Sequence, residues 1–228
     1  MSPPRSHLDY LKTVDTPTLS NAIEVLKLRP RHEGFSPIEI RCLFPEFGRM
    51  CGYAVTAHVE TVSQTEPANR AVFLELYEAV AASLRPAVIA FQEIGAHPQY
   101  AAHCGEVMAT VFTRLGAVGL VTDCGVRDIP EVRAIGFQYF ARGTVASHAN
   151  FRIVRVGIPI QVCGMVIHPG DLLHGDKHGV TNIPNDLAAR IPEGVQTVET
   201  MERQIINYSK SKEFTVDGLI ELFARLHA

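Results

Sequence analysis

The segment Asp123-Cys124-Gly125-Val126-Arg127-Asp128 sets a guanidinium beside a carboxylate, directly after an apolar run that ends at Asp123. A guanidinium presents a planar fork of N–H donors that matches a carboxylate two-on-two, so Arg127 suits the clamping of an anionic substrate. Asp128 offers hard oxygen to a magnesium-type cation, which takes one or two protein carboxylates and keeps several waters. The competing reading is a structural ion pair, the commoner use of such neighbours.

A second group precedes it. In His103-Cys104-Gly105-Glu106-Val107-Met108 a glycine opens a stretch with helical spacing. A helix N-terminus carries free backbone N–H groups and the positive end of the dipole, and glycine lets an anion come close. Glu106, in the first turn, could orient a metal-bound water and move protons; its plainer use is to complement the dipole.

Other titratable residues read as structural. His97 and His103 fall in the loop above this site, where a histidine is more often solvated than a base. His174 and His178 have the i, i+4 spacing of a zinc pair, but Gly175 and Gly179 argue for turns. Asp171 and Asp176 sit in turn segments, where aspartate bonds its own backbone. Arg29, Arg31 and His32 could meet a distal carboxylate, or form a solvated basic loop. Five cysteines are scattered singly with no C-x-x-C pair, which fits free thiols in a reducing cytoplasm. Cys124, near Arg127, could be somewhat activated.

The elements that must carry these groups follow from periodicity. Ala87 to Phe91, a short apolar run bounded by breakers, and Gly116 to Asp123, a glycine followed by a second apolar run, read as buried strands, with a helix over Gly105 to Leu115 between them. That strand, loop, helix, strand order makes a parallel pair, and open sheets of this kind bind ligands beyond the strands' carboxyl ends. Upstream, a helix with Leu19, Ile23 and Leu26 on one face follows a possible Thr18 cap, Cys51 to Glu60 alternates like a strand, and helical spacing returns over Asn69 to Ser83. Downstream come a short helix over Pro130 to Ile135 and strands at Gln138 to Ala141, Ile153 to Val156, Ile160 to Val162 and Met165 to Ile167. Turns at Pro169-Gly170-Asp171 and Asp176 to Gly179 precede Val180 to Pro184. Two helices run from Thr197 and from Val216.

With 228 residues, 46% hydrophobic and 20% charged, the chain is long enough for one sizeable core, and no linker or repeat divides it. A net charge of −3 gives no global reason to expect nucleic acid or an anionic membrane as partner. No apolar stretch approaches the roughly 18 residues of a membrane span, and no apolar signal region opens the chain. The phosphate-binding, dinucleotide-binding, serine-hydrolase and H-E-x-x-H zinc signatures are absent.

Taken together, Gly105 to Met108 and Gly116 to Asp128 resemble the RraA-like family, which includes 4-hydroxy-4-methyl-2-oxoglutarate aldolases. Thr18 to Ile23, Gly143-Thr144, Pro169-Gly170-Asp171 and Asp176 to Val180 resemble further family signatures, so the likeness spans roughly residues 16 to 210. It implies an α/β fold: a swivelling β/β/α domain with helical N- and C-terminal extensions, a single domain over 1–228 with its core at about 16–186 and its C-terminal helices at about 197–227. It implies homotrimers, or homohexamers of trimers paired face to face; the scattered cysteines and the lack of an apolar signal region give the cytoplasm as the expected location.

It also implies roles. Arg127 would bind the pyruvyl part of a substrate and Asp128 would hold Mg2+ or Mn2+, largely through waters. Gly105, Glu106, Val107 and Met108 would contact substrate, with Glu106 standing where the family's aldolase motif has an aspartate. A carboxylate from a neighbouring subunit's C-terminal part would approach the metal, with Glu199 and Glu202 as candidates. The implied reaction is class II-type cleavage of a 4-hydroxy-2-oxo diacid to release pyruvate, with oxaloacetate decarboxylation through the same electron sink. The alternative is a non-enzymatic, protein-binding regulator that inhibits a ribonuclease complex, a family type that lacks the metal aspartate.

Overall fold

The computed structural model describes residues 5–61, 70–185 and 188–226. Helices α1 (Arg5–Leu11) and α2 (Thr16–Val25) open the chain, followed by strands β1 (Arg41–Cys42) and β2 (Met50–Glu60). Next come α3 (Arg70–Ala82), β3 (Ala87–Glu93), α4 (Glu106–Arg114), β4 (Ala117–Thr122), β5 (Gly125–Val126), α5 (Ile129–Ile135), β6 (Gln138–Ala141) and β7 (Gly143–Thr144). Strands β8 (Arg152–Val156), β9 (Ile160–Val162), β10 (Met165–Ile167), β11 (Leu172–Asp176) and β12 (Gly179–Ile183) lead to α6 (Ile191–Ser209) and α7 (Val216–Leu226). The expected spans reach Asn69, Asp186 and His227, which lie outside the described residues.

The main sheet runs β1-β6-β4-β3-β2-β11-β12, and β8 also pairs with β2. Its centre is parallel: β2 with β3, β3 with β4, and β4 with β6. The long β2 organises the rest, because its second edge takes antiparallel β11 along Met50–Tyr53 and antiparallel β8 along Ala57–Glu60.

Side chains alternate across this sheet, so each face acquires its own core. Val55, Ala57, Ile89, Phe91 and Leu120 pack with Leu76, Val80, Ala109, Phe112 and Val132 from α3, α4 and α5. Ala54, Val88, Ala90, Val121 and Phe140 point the other way, onto Ile160, Val162, Met165 and Ile167 of the β9–β10 hairpin. The result is a layer of helices, a sheet and a second small sheet. A third cluster joins α1 and α2 to α6 through Leu11, Leu19, Ile23, Ile191, Val195 and Val198. Truncating a fully buried ring such as Phe112 to alanine costs about 3–5 kcal/mol.

Three local expectations need correction. The cap of α2 is Asp15, whose carboxylate accepts the Thr18 N–H at 2.8 Å, so Thr18 is the capped residue. Helix α6 starts at Ile191, six residues before Thr197; Pro192 sits in its first turn, where a missing N–H breaks no helical bond. His174 lies inside strand β11 rather than a turn, fully buried, with hydrogen bonds to Thr16 Oγ1 and the Leu11 carbonyl.

Candidate functional site

Three loops leave the carboxyl ends of the parallel strands β3, β4 and β6 and are laced together by backbone bonds. Gly125 N–H donates to Ala101 O at 3.2 Å, His103 N–H to Gly125 O at 2.8 Å, and Arg127 N–H to Cys104 O at 3.0 Å. On the other side β5 pairs with β7, and Val145 N–H donates to Val126 O at 3.0 Å. Residues 101–105 and 125–127 thereby run side by side, which brings the start of α4 against the start of α5.

Asp128 occupies the left-handed region, with φ 57 and ψ 46, a conformation aspartate tolerates better than most residues. From there its Oδ2 accepts the Glu106 N–H at 2.9 Å and lies 3.7 Å from Arg127 Nε. Asp128 therefore caps α4 across the turn, while its Oδ1 has no partner among the described residues. Gly105 makes this approach possible: a Cβ there would overlap Asp128 Oδ2 and stand 3.0 Å from Arg127 Nε. With Ala109 N–H bonded to Gly105 O, the N–H groups of Val107 and Met108 have no partner among the described residues.

A cavity of about 270 Å³ opens here, lined by Gly105, Val107, Met108, Arg127 and Asp128 together with Phe73, Ala102, His103, Cys104, His148 and Phe151. Glu106 stands apart from these residues: its side chain is exposed and does not line the cavity, and its contribution is the backbone N–H given to Asp128. Glu199 and Glu202, on α6, do not line it either; Glu202 accepts a hydrogen bond from Asn21 at 3.4 Å.

Below the cavity lies a buried polar network that periodicity does not reveal. His103, expected as a solvated loop residue, is 1% exposed; its Nε2 is 2.8 Å from Glu93 Oε2 and its Nδ1 2.6 Å from Thr122 Oγ1. Thr122 Oγ1 also accepts the Cys124 N–H, and its own hydroxyl hydrogen is free for His103 Nδ1. We assign His103 as the neutral tautomer with its proton on Nε2, donating to Glu93. Burial lowers the His103 imidazole pKa, and the Glu93 carboxylate only partly opposes this. Burial alone would raise Glu93, but hydrogen bonds and charge interaction with His103, with further bonds from Thr61 and Gly95, bring it below its ordinary value.

Glu93, His103 and Cys124 place ligand-type atoms within 4.8 Å of one another, so the group has the composition of a metal site. Its atoms are already engaged, however. Cys124 Sγ donates to the Pro98 and Ala101 carbonyls, and burial, reinforced by the Glu93 and Asp123 charges, holds the thiol at about 12. The expected activation of Cys124 by Arg127 is thus overturned, because desolvation outweighs any nearby cation. Asp123, at the strand end, accepts the Glu93 N–H at 2.8 Å, and burial raises it to about 6.

A larger cavity, about 810 Å³, lies elsewhere, between the Arg29–Phe35 loop and His168, Asp171 and Asn182. Its polar groups mostly tie loops together. Asp171 accepts from His168 N and Asn182 Nδ2, and Arg29 donates to Asn182 O and Thr181 Oγ1. Size therefore points away from Arg127 and Asp128, and chemistry points toward them; we follow the chemistry.

Residues 16–181 match the model of the RraA-like family, described as Aldolase/RraA. The chain belongs to the RraA-like family. Over 81 residues it is 40% identical to a Halalkalibacterium halodurans protein provisionally named 4-hydroxy-4-methyl-2-oxoglutarate aldolase, covering 35% of this chain and 39% of that protein. An uncharacterized Methanocaldococcus jannaschii protein is 29% identical over 91 residues, covering 40% of this chain and 44% of that one. Each match spans less than half of the relative's length. Among solved structures, an uncharacterized Pseudomonas syringae protein superposes with a TM-score of 0.74 at 24% identity, covering 99% of this chain and 96% of that one. Streptomyces coelicolor RraAS2, described as an unusual member of the RNase ES inhibitor RraA protein family, superposes with a TM-score of 0.69 at 21% identity, covering 92% and 99%. These two likenesses show that this chain has the RraA-like fold.

Proposed function

We propose that this RraA-like protein is a divalent-metal-dependent carbon–carbon lyase that cleaves a 4-hydroxy-2-oxo diacid to release pyruvate, and that also decarboxylates oxaloacetate. The observation that carries the reading is the placement of Arg127 and Asp128 side by side against the first turn of α4, in a half-buried cavity opened by Gly105.

The residues fit a magnesium-type ion. Asp128 is a carboxylate with one oxygen fixed by the Glu106 N–H and the other without a partner among the described residues. One such carboxylate and waters is the usual donor set for Mg2+ in enzyme sites. Bound there, Mg2+ or Mn2+ would supply Lewis-acid stabilisation of the charge that develops on the substrate's 2-oxo oxygen. Arg127 would take the substrate's 1-carboxylate with its guanidinium fork. The free Val107 and Met108 N–H groups, at the positive end of α4, would hold the same anionic end from the other side. Phe73, Met108 and Phe151 give one side of the cavity an apolar lining. A volume of about 270 Å³ is near the roughly 300 Å³ lower end of small-molecule sites, which suits a short acid.

The rival reading, a protein-binding regulator of a ribonuclease, draws on the description of the Streptomyces coelicolor relative. Asp128, a metal-type carboxylate that the family resemblance implies such regulators lack, favours the enzyme. The expectations of a single domain over 1–228, a homotrimer or homohexamer and a cytoplasmic setting join the proposal. Exposed Ile206, Phe214, Val216 and Ile220 near the C-terminal helices, and five cysteines without disulfides, support the last two. Among the described residues no helix is long and apolar enough to cross a membrane.

The experiment is a coupled pyruvate assay over oxaloacetate and 4-hydroxy-2-oxo diacids, with magnesium or manganese and with chelator. Metal-dependent pyruvate release is expected. No release from any of these acids, alongside capture of a ribonuclease subunit, would overturn the lyase reading.

A further inference from the structure

Cleavage of a 4-hydroxy-2-oxo acid requires a group that removes the hydroxyl proton, and the Glu106 side chain does not line the cavity. Resting on the lyase reading above, we infer that His148 is this proton acceptor and, in the second half of the reaction, the donor that completes pyruvate.

The observations are geometric. His148 lines the same cavity as Arg127 and Asp128. Its Nδ1 lies 2.7 Å from the Ala149 carbonyl oxygen, an acceptor only, so Nδ1 carries a proton. In the neutral ring that leaves Nε2 with a lone pair, and Nε2 has no partner among the described residues.

The backbone is shaped to keep it so. Ala149 takes φ 45, a left-handed conformation that costs a residue with a Cβ about 1 kcal/mol or more, and Ser147 Oγ accepts the Ala149 N–H at 3.0 Å to close the turn. The loop is pinned on both sides of the imidazole. Ala102 N–H donates to Ser147 O at 2.8 Å, and Asn150 N–H to Thr61 O at 3.0 Å. His148 is exposed to solvent at the cavity mouth, and the left-handed alanine, the fixed tautomer and the two anchors hold its ring there.

In the step, Nε2 takes the proton of the 4-hydroxyl as the C3–C4 bond breaks. The oxygen's electron pair becomes the new carbonyl of the leaving fragment, and the electrons of the broken bond pass into the enolate of pyruvate. The imidazolium then returns its proton to C3. No oxidant or reductant is consumed. Oxaloacetate differs at one point: its carboxylate leaves as carbon dioxide with no proton to remove, and solvent can protonate C3.

That difference supplies the test. His148→Asn keeps an amide N–H near the position of Nδ1, preserving the bond to Ala149, but removes Nε2; His148→Ala removes both. With the metal-loaded full-length protein, both variants should lose about 10²- to 10⁴-fold in kcat for 4-hydroxy-2-oxo diacid cleavage. Oxaloacetate decarboxylation should stay within about threefold of wild type, and added imidazole should restore part of the cleavage in His148→Ala. Separately, 15N NMR of the wild type without metal should show His148 protonated on Nδ1 and bare on Nε2. Cleavage at wild-type rates in His148→Asn, or equal loss of both activities without imidazole rescue, would overturn the inference, as would an Nε2–H tautomer. A wild type inactive on both substrates would instead sink the lyase reading and this step with it.

Discussion

Asp128 Oδ2 and the Glu106 N–H are 2.9 Å apart, so the carboxylate proposed to hold the metal also caps the helix that faces the substrate. This joins two functions in one side chain: any change that moves Asp128 also loosens the first turn of α4. Gly105 is the point where the coupling can be broken without touching either residue. Its backbone is extended, with φ −138, so alanine meets no conformational penalty there; the penalty is the overlap of its methyl group with Asp128 Oδ2. Gly105→Ala should keep a cooperative thermal transition and lose at least about 100-fold in kcat/KM, a figure typical of ångström-scale misplacement in an active site. Differential scanning calorimetry and the pyruvate assay together check this.

Asp128 itself separates charge from capping. Asparagine tolerates the left-handed backbone and retains an oxygen to accept the Glu106 N–H, whereas alanine does neither. Asp128→Asn should therefore abolish metal-dependent turnover with little change in stability. Asp128→Ala should lose turnover and, in addition, about 1–2 kcal/mol of stability from the lost cap and the strained φ. Urea unfolding of the two variants distinguishes the contributions.

Arg127→Lys replaces a two-pronged donor by a point charge. The expected result is a rise in KM of about tenfold or more for every 2-oxo acid tested, with a smaller fall in kcat, measured by initial rates at saturating metal.

Much of this architecture was legible because its determinants are local. The runs Ala87 to Phe91 and Ala117 to Thr122, the latter within the expected Gly116 to Asp123, are largely apolar on both faces, as strands inside a parallel sheet must be, and the helix between them has Ala109 and Phe112 buried on one side. The segment Gly105 to Met108 and the pair Arg127-Asp128 stood out by residue type. What was not legible is what depends on chains meeting. His103 reads as a polar loop residue until Glu93 and Thr122 are placed around it, and their partnership spans separate elements. Asp15 took the cap expected of Thr18 because it lies one turn earlier, beside a proline-containing first turn. His148 carries no sequence signal beyond its position in the loop after Gly143-Thr144; its tautomer is set by the carbonyl of a residue whose backbone conformation is unusual for alanine.

Two buried groups should give the fold a compensated pH response. Burial lowers His174 from 6.5 to about 4, so the folded state binds fewer protons than the unfolded one in that window, and stability is lost as pH falls from 6.5 towards 4. Burial raises Asp123 from 3.8 to about 6, so here the folded state binds more protons, and stability is lost as pH rises from 3.8 towards 6. Each contribution amounts to about 3 kcal/mol at 1.36 kcal/mol per pH unit, with opposite signs. Asp123→Asn keeps an acceptor for the Glu93 N–H and removes the second response. Its stability relative to wild type should rise by about 2 kcal/mol between pH 4 and pH 7, exposing a steeper acid loss. Urea unfolding across this range checks the sign.

The lyase reading is tested most directly by one titration: pyruvate release from oxaloacetate and a 4-hydroxy-2-oxo diacid by the chelator-treated wild type as magnesium is added back, with Asp128→Asn run in parallel. Saturable, magnesium-dependent release by the wild type and none above background by the folded variant is the predicted result. Equal release by both proteins, or release unaffected by chelator, would contradict the assignment of Asp128 as the metal-holding residue of this site.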